Sequence, residues 1–287
     1  MDDSLLPGFS VTGDTDGRWP VVMASPHSGQ DFPPAFLAAS RLQRPQLRRA
    51  EDPFVDALLG GIRGVPVLRA RYGRAFLDLN RSEHELDPAM FDGGLPTPAQ
   101  NSERVAAGLG VIPRIAAHGL DIYHRRIPPA EAQARIRALH RPWHARITEL
   151  LARAQARHGY AILIDCHSMP QPTGILPPQI VLGDRFGTSA APQLVDLIEQ
   201  HFTAARWRTA RNKPYAGGHA TEFHGRVAGG IHAVQIEIDR NLYMDAQRLT
   251  RHQGFDAVAA HMEGLARLLV RAAPGLGLGP PLREAAE

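Results

Sequence analysis

Two histidines of this chain sit where a sheet protein could do metal chemistry. His27 follows an apolar run in "VVMASPHSG", and His167 closes "YAILIDCH". Open α/β sheets gather ligands at the C-terminal ends of their strands. Two histidines and one carboxylate, with a fourth position open to water, are a common catalytic zinc set. The carboxylate candidates lie in "AEDPFVD": Glu51 or Asp52, at an expected helix start where Asp before Pro equally suits a cap.

Side chains alternate across a strand. Asp165 therefore shares a face with His167 and could orient it from behind. Cys166, the only cysteine, points the other way with Ile162 and Ile164 and reads as a small buried hydrophobe. In "HAVQIEID", Gln235, Glu237 and Asp239 share the face opposite Val234, Ile236 and Ile238. A carboxylate in mid-strand is unfavourable unless paired or used, which makes Glu237 a candidate general base. The stretch "RARYGRAFLDLNRS" carries Arg69, Arg71, Arg74, Asn80 and Arg81. Guanidinium forks bind carboxylates, so this cluster suits a small acidic substrate. His140 and His144 are four apart on an expected helix, but "HRPWH" lacks the Glu of a zinc-protease motif, so they read as packing or surface residues.

The elements that must position these groups alternate between strand and helix, which predicts an α/β fold with a largely parallel or mixed sheet. Strands are expected at about 19–25, 65–70, 74–79, 160–167, 179–184 and 232–239. Helices are expected near 34–40, 52–63, 128–159, 189–202 and 244–272. Residues 83–100 and 211–230 read as irregular surface segments. Residues 1–287 read as one domain whose tail, 276–287, frays.

Composition narrows the class. Hydrophobic residues make up 44% and charged residues 21%, which is ordinary globular material. A net charge of +3, without basic runs interleaved with aromatics, argues against nucleic acid. No segment has the apolar length of a membrane span, and the acidic N-terminus does not look like a signal peptide, so a cytoplasmic protein is expected. Lys213 is the only lysine among 32 basic residues, which singles it out.

In order, "PHSG", "ED.FVD", "ARYGRAFLDLNR", "DCHSMP", "NKPYAGGHATEFHG" and "GIHAVQIEIDRNLYMD" resemble the N-formylglutamate amidohydrolase family over about residues 20–245. That family is similar to zinc carboxypeptidases and to the aspartoacylase and succinylglutamate desuccinylase group. The resemblance implies a three-layer, mixed, mostly parallel sheet flanked by helices, with one zinc, or another divalent metal, per chain. It implies His27 and His167 as metal ligands, Glu237 as the base that activates water, and Arg74 as the group that polarises the scissile carbonyl. Asn80 and Arg81 match the pair that holds the substrate α-carboxylate, with Arg71 in the same cluster. Gln30 stands where zinc carboxypeptidases place a Glu ligand, so the carboxylate is sought elsewhere, at Asp52 rather than Glu51. The implied reaction is hydrolysis of N-formyl-L-glutamate to formate and L-glutamate, in histidine degradation. Lys213, Arg211 or Arg114 would meet the distal carboxylate, and the alternative is the same chemistry on another N-acyl amino acid or small amide.

Overall fold

The computed structural model describes residues 5–95, 99–100, 102–116 and 119–280. Nine strands are assigned among them: β1 Phe9–Thr12, β2 Val21–Ser25, β3 Val67–Ala70, β4 Ala161–Met169, β5 Ile180–Gly183, β6 Thr209–Arg211, β7 Ile231–Asp239, β8 Met244–Asp245 and β9 Thr250–Arg251. Seven of them form a mixed, mostly parallel sheet in the order β1-β3-β2-β4-β7-β5-β6, and β8 and β9 form a separate hairpin. The fold is α/β, as the alternation of elements predicts. Packing divides the chain into two compact units.

The unit formed by Thr12–Ala24, Ala57–Val67 and Ile147–Glu287 is built on β4. Strands β2 and β7 flank it in parallel, with Ala24 opposite Asp165 and His167 opposite Glu237. β5 then pairs antiparallel with β7, and β6 parallel with β5. Every residue of β4 is buried, and Ile162, Leu163, Ile164, Val234, Ile236 and Ile238 are fully so. Near-continuous apolar runs are what strands covered on both faces require. Helices Pro192–Ala204 and Phe255–Ala272 belong to this unit, the latter starting later than residue 244 because the β8–β9 hairpin intervenes. No described helix is long and apolar enough to cross a membrane.

The C-terminal segment expected to fray is partly held. Leu278 is buried, and its carbonyl accepts from His232 Nε2 at 2.8 Å while His232 Nδ1 accepts from the Ala191 amide at 3.2 Å. Residues 281–287 of that segment lie outside the described residues.

His224, buried at the end of helix His219–His224, gives the same unit a pH dependence. Burial, with His219 and Arg226 adding to it, pushes its pKa down to about 3. The unfolded chain binds that proton near pH 6.5 and the folded one does not, so the stabilisation is complete above pH 6.5 and is lost as pH falls toward 3. Between pH 7 and pH 5 we expect a loss of about 2 kcal/mol from this group, read by urea denaturation. A His224→Phe variant should flatten that dependence, and an unchanged pH slope in it would exclude His224 as the source.

The other unit comprises Met1–Val11, Ser25–Asp56 and Leu68–Arg146. Its helical stretch runs Pro129–Arg135, a π-helical Ile136–His140, and the start of Arg141–His158. Two expected elements are corrected here. Residues 74–79 are not a strand: the Phe76 and Leu77 amides donate to Gly73 O, and Ala75, Phe76, Leu77 and Leu79 are buried from a turn. A short apolar run does not distinguish the two outcomes. The helix expected over 52–63 shrinks to Val55–Leu58, because Phe54 takes φ +66° in front of it. A left-handed residue cannot continue an α-helix.

Candidate active site

The turn after β2 carries His27. Ser25 and Ser28 join hydroxyls at 2.6 Å across the turn. Gly29 is needed because a Cβ there would lie 2.3 Å from Tyr72 O. The Asp52 amide donates to His27 O at 2.9 Å, which sets Asp52 beside the imidazole. His27 Nε2 donates to Asp78 Oδ1 at 2.7 Å, and Nδ1 faces Asp52 Oδ2 at 3.4 Å. Two ligands bound to one metal at about 2.0–2.1 Å in a tetrahedron stand about 3.3–3.4 Å apart. The His27–Asp52 pair therefore fits one edge of such a site, with a carboxylate behind the imidazole as metal-binding histidines usually have.

Glu51 is differently placed. It is fully buried and bound by Arg48 Nε at 3.2 Å. Burial, only partly offset by Arg48, pushes its pKa up to about 8. A carboxyl that is mostly protonated at neutral pH is a poor metal ligand.

Asp78 gathers the arginine cluster. It accepts from Arg74 Nε at 2.8 Å and from the Asn80 amide at 2.9 Å, with Arg81 Nε 3.9 Å away. Burial alone would raise its pKa, but Arg74, His27 and Arg81 together hold it well below the usual carboxylate range. Arg81 is buried, donating to Leu109 O and Asn80 O at 3.0 Å each. Burial lowers its pKa to about 10, still fully cationic at neutral pH.

Three further candidates go elsewhere. The Arg71 guanidinium donates to Pro7 O at 2.8 Å and pairs with Asp31. Arg114 pairs with Asp87 at 2.8 Å and Asp121 at 3.5 Å. Arg211, in the other unit, pairs with Glu199 and Asp196. Lys213 in that unit is exposed.

In the β4 unit, His167 Nε2 donates to Asp165 Oδ2 at 2.8 Å, one strand face carrying both. This repeats the arrangement at His27, with Nε2 of the imidazole against a carboxylate. Glu237 lies opposite His167 in the parallel register and is buried. Its Oε1 accepts from Gln235 Nε2 at 2.8 Å. Cys166 is fully buried on the other face.

The family model of N-formylglutamate amidohydrolase matches residues 19–244. The chain belongs to the N-formylglutamate amidohydrolase family. The crystal structure of N-formylglutamate amidohydrolase from Ralstonia eutropha JMP134 is similar to it, with 34% identity and a TM-score of 0.86 over 94% of this chain and 99% of that one. N-formylglutamate deformylase from Pseudomonas aeruginosa is 30% identical over 241 residues, which is 80% of this chain and 84% of that protein. The Pseudomonas putida protein of the same name is 26% identical over 80% of this chain and 83% of its own.

In this N-formylglutamate amidohydrolase family member Asp78 escapes a reading by type and spacing, whereas His140 and His144 are packing residues as that reading has them. Asp78 looks like one more polar residue in "FLDLNR". His140 and His144 are buried and hold main chain: His140 Nε2 donates to Arg81 O at 2.8 Å and His144 Nε2 to Leu79 O at 2.9 Å. They grip the carbonyls on either side of Asn80 from a helix whose π-turn ends at His140.

Proposed function

We propose that this chain hydrolyses the formyl amide of N-formyl-L-glutamate, releasing formate and L-glutamate. The observation that carries the reading is the His27–Asp52 pair, spaced as one edge of a tetrahedral metal site, in a chain of this family. His27, Asp52 and His167 would hold one zinc or similar divalent ion, and residues 1–287 would act as a single functional domain. Such an ion supplies a Lewis acid and a water of lowered pKa.

The chain's own residues do the rest. Asp78 and Asp165 keep the two imidazoles in the tautomer that offers Nδ1. Arg81 and Asn80 take the substrate α-carboxylate, and Arg74 stands by the formyl oxygen, where one donor to a developing oxyanion is worth about 3 kcal/mol. Glu237 accepts the proton of the attacking water and passes it to the nitrogen of the leaving amino acid. The C–N bond breaks as the new C–O bond is retained in formate.

One observation favours a second reading on a different N-acyl amino acid. Arg114 and Arg211 are both paired with protein carboxylates, which leaves Lys213 as the cation proposed for a distal carboxylate. A formate-release assay over N-formyl-glutamate, -glutamine, -methionine and N-acetyl-glutamate separates the two. The highest kcat/KM is expected for N-formyl-L-glutamate, and a clear preference for a neutral side chain would select the second reading. Chelation should abolish turnover and zinc should restore it; full activity in metal-free protein would overturn the metal assignment.

A further inference from the structure

The Gln235 amide holds Glu237, and two glycines make room for that contact. Gln235 Nε2 donates to Glu237 Oε1, while Gln235 Oε1 accepts from the Gly218 amide at 2.8 Å. A backbone N–H can only donate, so Gly218 fixes which end of the Gln235 amide is oxygen. The NH2 end must then face Glu237, and that carboxylate oxygen must accept.

For this, main chain has to come down onto a mid-strand side chain. Gly183 stands opposite Gln235 in the β5–β7 register, and a Cβ there would lie 2.6 Å from Gly217 N. Gly217 takes φ +118°, and a Cβ on it would lie 2.5 Å from Thr221 Oγ1. Only glycine tolerates that conformation and that approach. The bend is pinned on both sides: Thr221 Oγ1 donates to Gly218 O at 2.8 Å, and the Arg185 amide donates to Ala216 O at 2.7 Å.

We propose that Gln235 is the positioning residue of the reaction, fixing the orientation of the Glu237 carboxylate for proton transfer, and that the Gly183–Gly217–Gly218 bend exists to set Gln235. This rests on Glu237 being the base. Gln235 itself touches no reacting atom in this scheme, so its loss should lower kcat and leave KM alone. A residue that only stabilised the fold would move the thermal midpoint without that split.

The test measures kcat and KM for formate release, metal content and thermal midpoint in the full-length, zinc-loaded protein. Gln235→Met, of similar length but without an amide, is expected to lower kcat about 10–100-fold at unchanged metal content, as loss of an orienting partner typically does. KM should stay within about twofold, because substrate-binding groups are untouched. Gly217→Ala should reproduce the fall in kcat with Gln235 intact, by drawing the Gly218 amide away. Wild-type kcat in folded Gln235→Met overturns the inference; if that variant does not fold, wild-type kcat in Gly217→Ala does so. Glu237→Gln tells the two failures apart. Full turnover there removes the base and this inference together, whereas its loss beside a wild-type Gln235→Met removes this inference alone.

Discussion

Glu237→Gln is expected to lower kcat about 10²–10⁴-fold while the protein folds normally and binds metal as before. The substitution keeps shape and volume at a buried position of β7, and its amide oxygen can still accept from Gln235 Nε2. What it removes is the capacity to take and return a proton. Under the proposed mechanism, the position opposite His167 is where such a proton acceptor would act. Steady-state formate release, circular dichroism and metal analysis on one preparation check this. Near-wild-type turnover would send the search for the base elsewhere on the polar face of β7.

A second large effect is expected at Asp78. Asp78→Asn should weaken metal binding about 10–100-fold, because the carboxylate behind His27 is gone. It should also reduce stability by about 3 kcal/mol, because buried Arg81 and half-buried Arg74 lose their shared counter-charge. Competitive metal titration measures the first and urea denaturation of the metal-free protein the second. If both stay at wild-type values, Asp78 is not the hub that its contacts describe.

The parts of this fold that could be read from sequence are those where one rule dominates. Strands β4 and β7 are long enough for alternation and burial to agree. The same alternation sets Asp165 and His167 on one face, where the structure has them 2.8 Å apart. Elsewhere two rules compete. Residues 74–79 carry the composition of a strand, but the Phe76 and Leu77 amides close a turn onto Gly73 O, and burial is satisfied either way. Phe54 has no sequence signal for its positive φ, so the sequence pattern points to a helix start three residues before the observed one at Val55. Asp78, His140, His144 and Gln235 act through partners far away in the chain or through main-chain atoms. Such contacts have no period and no motif, because tertiary packing creates them.

Asp78 also ties two binding events to one side chain. Under the proposed assignment it stands behind the metal-side imidazole and beside the arginine that receives the substrate carboxylate. Whatever factor the metal contributes to anion affinity through this link, the anion must return to metal affinity, since linkage is reciprocal. An amino acid resting on Arg81 would thus change the affinity for the ion by the same factor as the ion changes the affinity for the amino acid.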